Sequence, residues 1–268
     1  MSNMFHSAIR SVILTGLIAL ILAGFVYAAD KRDARVTQIV RDVRVLPSRA
    51  AVRPASLNET IKHGTAVRTG SDSRAELTFD DSSLTRLGAN TVFSFDQGAR
   101  ELNLTSGAAL ICVPPEAGSV RISAPAVSAA ISGGIAMAET HKDSWIKIII
   151  LEGQGIVTLK TTGKSVTLLP GQMIALPAGA RQFTKIQNIN LKKLTDKSLL
   201  IRFARLPNWA WILIQREIDR QHNAPVPPGG LKDPVGFDAI SQRSATLPRS
   251  TPIPRHSPEE PPGRGPKR

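Results

Sequence analysis

The chain has 268 residues, and 34 Lys and Arg against 21 Asp and Glu give it a net charge of +13. Such a charge attracts anionic partners, but aromatic residues make up only 4% of the chain, too few for the stacking platforms of a single-strand nucleic-acid groove. The basic residues are also dispersed, so we expect no nucleic-acid partner. Anionic polymers or a membrane surface match the charge better. Cys112 is the only cysteine, which excludes an internal disulfide.

The N-terminal pattern is typical of an export signal. Residues 11–29 contain no charged residue and follow Arg10, as in a signal peptide or a single membrane anchor. Val26-Tyr27-Ala28 forms an acceptable cleavage pattern before Ala29, so we expect residues 1–29 to be a cleaved signal peptide. An uncleaved inner-membrane anchor is the alternative. Either way, the rest of the chain is expected in the periplasm or outside the cell.

Residues 30–190 have the pattern of an all-β domain. Apolar residues alternate with charged ones from Ala34 to Val45, which indicates the first strand or two. Short apolar runs then recur about every eight to twelve residues between turn-forming residues. This spacing favours an irregular β-solenoid or sandwich-like stack of short strands. The runs are Val92–Phe95, Leu102–Leu104, Ala108–Val113, Val120–Ile122, Ala126–Ile131, Trp145–Leu151, Ile156–Leu159, Val166–Leu169 and Met173–Leu176.

The segment from Val67 to Asn90 is the most informative. A polar cluster around Gly70 suits a tight turn. Apolar and polar residues then alternate from Ala75 to Phe79, as in a half-buried strand, with Glu76 and Thr78 on the polar face. A second turn follows, and Leu84 and Leu87 return to the core.

This order of residues resembles the FecR domain, an extracytoplasmic all-β domain, over roughly Val36 to Leu176. Val67, Leu102, Leu104 and the run Leu169-Pro170-Gly171-Gln172 also fit the family pattern. Two positions depart from it: Asp81 replaces a usual Gly, and Ile135 replaces a common Thr. The motif positions, which we expect to serve the fold, are Thr69, Gly70, Ser73, Ala75, Leu77, Phe79, Asp80, Ser82, Leu84, Leu87, Gly88, Thr91, Gly107, Pro125, Gly134, Glu152, Gly153 and Gly171.

The resemblance implies a regulatory role. FecR regulators carry a cytoplasmic N-terminal region that acts on a sigma factor, and their extracytoplasmic part receives a signal from an outer-membrane transporter. Only ten residues precede the apolar run here, so no cytoplasmic region of that kind is expected. A stand-alone sensing or binding role is expected instead.

Two features of the second half of the β region bear on its strands. Trp145–Leu151 is the most apolar run and is predicted to lie centrally, covered on both faces. Glu152–Gly155 is predicted to turn the chain towards the next strand, and Ser132-Gly133-Gly134 is interpreted as a glycine turn.

The pattern changes near Asn190. Residues 191–222 are predicted to form an amphipathic helical extension, with a first helix starting near Thr195-Asp196 and a second starting at Pro207-Asn208. The second helix is expected to bury one face and expose the other. We expect packing against the β domain, with a membrane-surface or partner-docking role as the alternative. The residues predicted for the buried face of the second helix are Trp209, Ile212, Leu213 and Ile218, and those largely on its outer face are Arg216, Glu217, Asp219 and Arg220.

The tail, residues 223–268, is rich in Pro, Gly and basic residues and is expected to be disordered.

The candidate chemical groups suggest no reaction centre. Adjacent Asp80 and Asp81 suit a turn better than acid–base catalysis, which needs facing carboxylates. The histidines lack metal-ligand spacing, and the apolar neighbours of Cys112 indicate a buried small residue. We therefore expect no catalytic, cofactor or metal site.

The function expected from the sequence is a non-enzymatic extracytoplasmic module that engages an envelope protein partner. Such a module can bind a partner strand at an exposed sheet edge. The alternative is an envelope scaffold that binds glycan or anionic polymer through its basic surface and tail. Nothing in the sequence fixes an oligomeric state.

Overall fold

A computed structural model describes residues 33–96, 100–141 and 144–233. The predicted signal segment, residues 1–29, and most of the predicted disordered tail lie outside the described residues. The strands are β1 (Ala34–Val40), β2 (Val43–Leu46), β3 (Arg53–Pro54), β4 (Thr60–Ile61), β5 (Ala66–Thr69), β6 (Arg74–Phe79), β7 (Leu84–Leu87), β8 (Val92–Phe95), β9 (Glu101–Val113), β10 (Ser119–Ser123), β11 (Val127–His141), β12 (Trp145–Leu159), β13 (Ser165–Leu168), β14 (Gln172–Pro177) and β15 (Gln187–Asn188). The α-helices are α1 (Leu191–Lys197), α2 (Leu199–Arg202) and α3 (Asn208–Asn223), and a short 3-10 helix spans Pro115–Ala117.

The strands form one hydrogen-bonded network, and the predicted mostly-β architecture with a C-terminal helical segment is confirmed. Its main path runs β15-β14-β12-β11-β10-β9-β7-β6-β1-β4, and its two ends do not pair with each other. Nearly all pairs are antiparallel, with β9 and β10 parallel. The solenoid or sandwich form of the stack stays a prediction.

Three strands are much longer than predicted. β9 joins the two predicted runs Leu102–Leu104 and Ala108–Val113, and β12 joins Trp145–Leu151 to Ile156–Leu159. The predicted turns at Glu152–Gly155 and Ser132–Gly134 are therefore wrong, because both segments lie inside paired strands. β11 and β12 pair along almost their whole length, with register shifts beside Gly134.

The glycines inside these strands lie at an irregularity of the ladder, where Ser132, Gly133 and Gln154 have no partner in the pairing of β11 with β12. Gly134 lies opposite Gly153, and both have positive φ, at +152° and +79°. A Cβ on Gly153 would lie 2.4 Å from the carbonyl oxygen of Gly133, and one on Gly134 would lie 2.6 Å from that of Glu152. Only glycine permits this close approach. In this chain, the motif residues Gly134 and Gly153 therefore permit the close approach of two paired strands.

The described part of the chain has two hydrophobic clusters on opposite sides of the long strands. The larger one gathers inward-facing side chains from Ala34 of β1 to Leu176 of β14. The smaller one lies between the sheet and the helices. Ile148 belongs to the first and Ile149 to the second, so the predicted two-sided burial of Trp145–Leu151 is confirmed. The sheet is therefore covered by helices where β9, β11 and β12 run side by side.

The first helix of the extension begins earlier than predicted, at Leu191. Asn190 caps α1, since its side-chain oxygen accepts a hydrogen bond from the Lys193 N–H at 2.9 Å. The predicted start at Thr195-Asp196 is wrong, because those residues lie inside α1. The chain then leaves helical geometry at Ser198.

Helix α3 starts at Asn208 as predicted and packs on the sheet. Its buried stripe contains Ala210, Ile214 and Ile218, so the packing prediction is confirmed. The predicted face was partly wrong. Ile212 is 58% exposed, whereas Glu217 is buried, because the stripe follows the spacing i, i+4, i+8 from Ala210 and places Ile212 on the outer side.

The described chain continues ten residues beyond α3. The Asn190 N–H donates to the Lys232 carbonyl at 2.9 Å, and the Lys232 N–H donates to the Asn188 carbonyl at 2.7 Å. Asp233 forms an ion pair with Lys193 at 2.8 Å. These contacts hold the start of the predicted tail beside α1.

Among residues 33–96, 100–141 and 144–233, none of the helices has the length and apolarity required to span a bilayer.

Substitution of Gly153 by Ala tests the close-approach interpretation. We expect Gly153→Ala to lower the free energy of unfolding by about 2–3 kcal/mol, because the new Cβ meets backbone atoms as well as an unfavourable φ. Gly163→Ala is the matched control. Gly163 also has positive φ, at +69°, but a Cβ there meets nothing within 4 Å, so only the backbone cost of about 1 kcal/mol applies. Urea denaturation measures both, and equal losses would contradict the interpretation.

Candidate functional site

The polar residues of the motif hold its turns together. The Thr69 hydroxyl donates to the Gly88 carbonyl at 2.5 Å and accepts from the Thr91 N–H at 2.9 Å. The Thr91 hydroxyl in turn accepts from the Ala108 N–H and donates to the Ala108 carbonyl, both at 3.1 Å. Thr69 and Thr91 are both buried. These hydroxyls satisfy backbone groups where the ladder is interrupted, which agrees with the expected structural role.

The remaining motif residues are distributed between the turns and the two clusters. Ser73 accepts from the Asp42 N–H at 3.1 Å and donates to the Ser71 carbonyl at 2.9 Å. Four apolar motif residues belong to the larger cluster and Leu84 to the smaller one. The four are Ala75, Leu77, Phe79 and Leu87. The structure does not gather the motif residues into one pocket.

The Asp80-Asp81 pair lies in the turn between β6 and β7. Asp81 accepts from the Ser83 N–H at 3.0 Å, so the predicted turn role is confirmed for this residue. It also pairs with Arg100 at 2.7 Å. The left-handed residue of the turn is Ser82, with φ of +64°, and not Asp81. The departure from the family's Gly at Asp81 is therefore tolerated.

A fully buried arginine joins the sheet to the helical extension. Arg86 of β7 is 0% exposed, and its Nε donates to Glu76 Oε2 at 2.8 Å. The other carboxylate oxygen of Glu76 accepts from the Thr37 hydroxyl at 2.8 Å. The ion pair is therefore a cross-strand contact between β6 and β7, since Glu76 lies directly opposite Arg86.

The rest of the Arg86 guanidinium binds the backbone of the extension. Nη1 donates to the carbonyls of Leu200 and Ile201 at 3.0 and 2.8 Å, and Nη2 donates to that of Arg205 at 3.0 Å. The first two carbonyls end helix α2 and have no partner within it. The Phe203 ring also covers the guanidinium, with its centroid 4.9 Å from Cζ. We call these contacts the Arg86 clamp.

The sequence pattern did not lead us to predict the buried ion pair of Glu76 and Arg86. The alternation from Ala75 to Phe79 assigned Glu76 to a polar face, and a polar face is usually exposed. Here the helices cover that face, and Glu76 is buried. One signal was available: a hairpin turning at residues 80–83 places Glu76 opposite Arg86, and opposite charges at such positions pair.

Loss of the clamp is expected to be costly. Arg86→Met removes the donor to Glu76 Oε2 and to three carbonyls, so we expect a loss of about 3–5 kcal/mol in the free energy of unfolding. Arg86→Lys keeps the charge but lacks the planar fork that reaches three carbonyls. Its free energy of unfolding should lie between those of Arg86→Met and the wild type. Arg44→Met, which breaks an exposed pair with Asp42, should cost about 1 kcal/mol or less. Guanidinium denaturation measures the series, and an Arg86→Met loss no larger than that of Arg44→Met would contradict the clamp.

A second charge cluster lies between β12 and α3, with Glu217 buried, Glu152 half-buried, and Arg216 and Arg220 exposed. Burial raises the pKa of the motif residue Glu152, the negative charge of Glu217 raises it further, and Arg216 and Arg220 oppose the rise. Arg220 also binds Glu217, with 2.6 Å between Nη1 and Oε1. Glu152 therefore stands at the packed interface between sheet and extension, where its charge is unfavourable.

This raised pKa predicts a pH dependence. A carboxyl whose folded pKa exceeds its ordinary value near 4.5 binds protons more tightly in the native state, so its stabilising contribution is lost as pH rises through the folded pKa. We expect Glu152→Gln to be more stable than wild type at pH 7, and the difference to vanish near pH 4. Thermal melts across this range measure it, with exposed Glu116→Gln as the control. A difference that stays constant with pH would contradict the assignment.

Cys112 is buried in the smaller cluster. It is 0% exposed, and burial raises the pKa of its thiol to about 12. The interpretation of Cys112 as a small buried residue is confirmed, since a thiol in this state is not a reactive nucleophile. In the part of the chain that the structure describes, no three His, Cys, Asp or Glu side chains come together to hold a metal ion.

Strand β13 presents a free edge that is longer than those of β3, β4 and β15, which have two residues each and also pair with a single strand. Among the described strands, β13 pairs with β12 alone. The Leu159 N–H donates to the Lys164 carbonyl at 2.9 Å. Because hydrogen-bonded pairs alternate along an antiparallel ladder, the backbone N–H and C=O groups of Val166 and Leu168 then point towards β12. The N–H and C=O groups of Ser165 and Thr167 therefore face outward. Leu169, directly after the strand, is 52% exposed, and Ile156, 44% exposed, lies behind the edge on β12, opposite Thr167.

Comparison with known proteins supports the resemblance found in the sequence. Residues 65–154 match the family model described as FecR protein, which confirms the resemblance over that range. No curated protein matches the chain.

Among the solved structures similar to the chain are two from the same organism. They are crystal structures of "a putative anti-sigma factor" from Parabacteroides distasonis ATCC 8503, at 1.65 and 2.50 Å resolution. Sequence identity is 16% in both cases, with TM-scores of 0.43 and 0.42. The matches cover 58% and 49% of this chain, and 75% and 64% of the two structures, respectively. In the second case the chain spans just under two thirds of the other protein's length.

Proposed function

We propose that this protein is a non-enzymatic, extracytoplasmic binding and signalling module of the FecR type that engages an envelope protein partner. The match to the FecR family over residues 65–154 supports a regulatory module. The apolar run after Arg10 supports export. The motif side chains bond to backbone or fill the clusters, which suits a domain whose function lies on its surface.

The observation that carries the proposal is the free edge of β13. A partner segment in extended conformation adds to this edge as a further antiparallel strand, bonded to the outward groups of Ser165 and Thr167. The strand has only four residues, so backbone hydrogen bonds alone give a weak complex. The exposed Leu169 side chain, at the end of this edge, supplies an apolar contact that strengthens the complex and helps to select the partner.

A second candidate is the envelope scaffold that binds anionic polymer. The helical extension favours it, because residues 191–223 contain seven Lys and Arg against three Asp and Glu. Binding of this kind weakens steeply with salt, since screening shortens to about 8 Å at physiological ionic strength. Strand addition is much less sensitive to salt, which separates the two candidates.

A proline at the edge tests strand addition without damage to the sheet. Thr167→Pro removes an outward N–H that β12 does not use, a position where strands tolerate proline. Thr167→Val keeps the N–H and is the matched control. After in-cell crosslinking, we expect a salt-resistant envelope protein to be recovered about tenfold less with the proline variant and unchanged with the valine variant.

Two outcomes would contradict this mode of binding. Equal recovery with both variants would show that the edge is not the contact. Salt-labile recovery of wall or lipid polymer, with no defined protein, would favour the scaffold candidate. Circular dichroism of the Thr167→Pro variant checks that the fold is retained.

A further inference from the structure

A cleft of about 660 Å³ opens in the helical extension, where the chain passes from α2 to the start of α3. Its lining combines positive charge with apolar surface. The Arg202 and Arg205 side chains are exposed, Ile201 and Leu206 are buried, and Trp211 is 43% exposed. A cleft of this composition suits a ligand with both carboxylates and an apolar group.

The two guanidinium groups retain most of their donors. Arg202 donates from Nη1 to the Asp196 carbonyl at 2.7 Å, and Arg205 donates from Nη2 to Asn208 Oδ1 at 3.2 Å. A guanidinium has five N–H donors in a planar fork that matches a carboxylate. The Asp196 carboxylate is the one acidic group in the lining, and it pairs with Lys192 at 2.9 Å. The arginines therefore have no carboxylate partner among the described residues.

The charge around the cleft indicates the sign of the ligand. The surplus of basic residues in the extension favours an acidic partner. The tail of this chain does not have that charge, since residues 234–268 contain six Lys and Arg against three Asp and Glu. An anionic polysaccharide offers carboxylates and ring faces that can stack on Trp211, but it has no apolar side chain to bury beside Leu206. A lipid surface is too flat to enter a concave site.

We propose that this cleft binds an acidic segment of a partner protein, in which carboxylates flank a large apolar side chain. The carboxylates bind Arg202 and Arg205, and the apolar side chain packs on Trp211 beside Leu206. The inference builds on the proposed partner-binding function, but it uses none of the residues of the β13 edge. The partner is thereby held at two separate surfaces, a strand edge and a charged cleft.

The Arg86 clamp prepares this cleft. The carbonyls that it holds belong to Leu200, Ile201 and Arg205, and two of these residues line the cleft. The backbone that positions the arginines is thus fixed before a ligand arrives, which lowers the entropy cost of binding.

A charge-reversal pair tests the assignment in the chain from Asp30 onward. The probe is a fluorescein-labelled peptide with glutamates on both sides of a central leucine, and binding is measured by fluorescence anisotropy. We expect Arg202→Glu with Arg205→Glu to weaken binding about tenfold or more. Arg181→Glu with Lys185→Glu makes the same change in net charge on exposed residues outside the cleft, and should weaken binding by about twofold or less. Trp211→Ala should weaken binding of this peptide but not of one with serine in place of leucine.

Four results would overturn the assignment. They are absence of peptide binding by the wild type, unchanged binding by the cleft variants, equal losses in both charge-reversal pairs, and binding only to phosphatidylglycerol vesicles. Thr167→Pro should leave peptide binding unchanged. If that variant loses its cellular partner while the peptide still binds, strand addition and the cleft are both supported. If the cleft variants bind the peptide as the wild type does, the cleft assignment fails whatever the result at the edge.

Discussion

The buried guanidinium of Arg86 is the contact on which the arrangement of sheet and helices depends. A fully buried charged side chain is tolerated only when its N–H donors or oxygen acceptors all have hydrogen-bond partners. Here one carboxylate and three carbonyls do so, and they come from both parts of the fold. The clamp also fixes where α2 ends and where the chain turns towards α3. The helical extension is therefore an integral layer of the domain.

This layer changes what the FecR-like strands present to their surroundings. The long strands β9, β11 and β12 bury one face in the larger cluster and the other beneath the helices. Partner contacts are then left to the perimeter, namely the β13 edge and the surface of the extension. The proposed function follows this division, with a motif that builds the domain and a periphery that binds.

The sequence predicted the parts of the fold that repeat a simple pattern. Alternation located the strands around Ala75–Phe79, and the 3.6-residue period located α3. The sequence-based predictions were wrong where one pattern is compatible with two structures. Gly134 and Gly153 were interpreted as turn residues, yet they permit the close approach of two paired strands. Glu76 was placed on a polar face, because one strand's alternation cannot show that a helix far along the chain covers it. The cleft depends on the same distant packing and has no local signal.

Native-state hydrogen exchange on the wild-type protein tests the central claim, that sheet and extension form one cooperative unit. Amides of α2 and α3 should open with nearly the same free energy as those in the centre of β11 and β12, because the clamp breaks only when both parts unfold. Opening of the helices at a free energy several kcal/mol lower than that of the sheet would contradict the account. The extension would then be an appendage that detaches from an intact β domain.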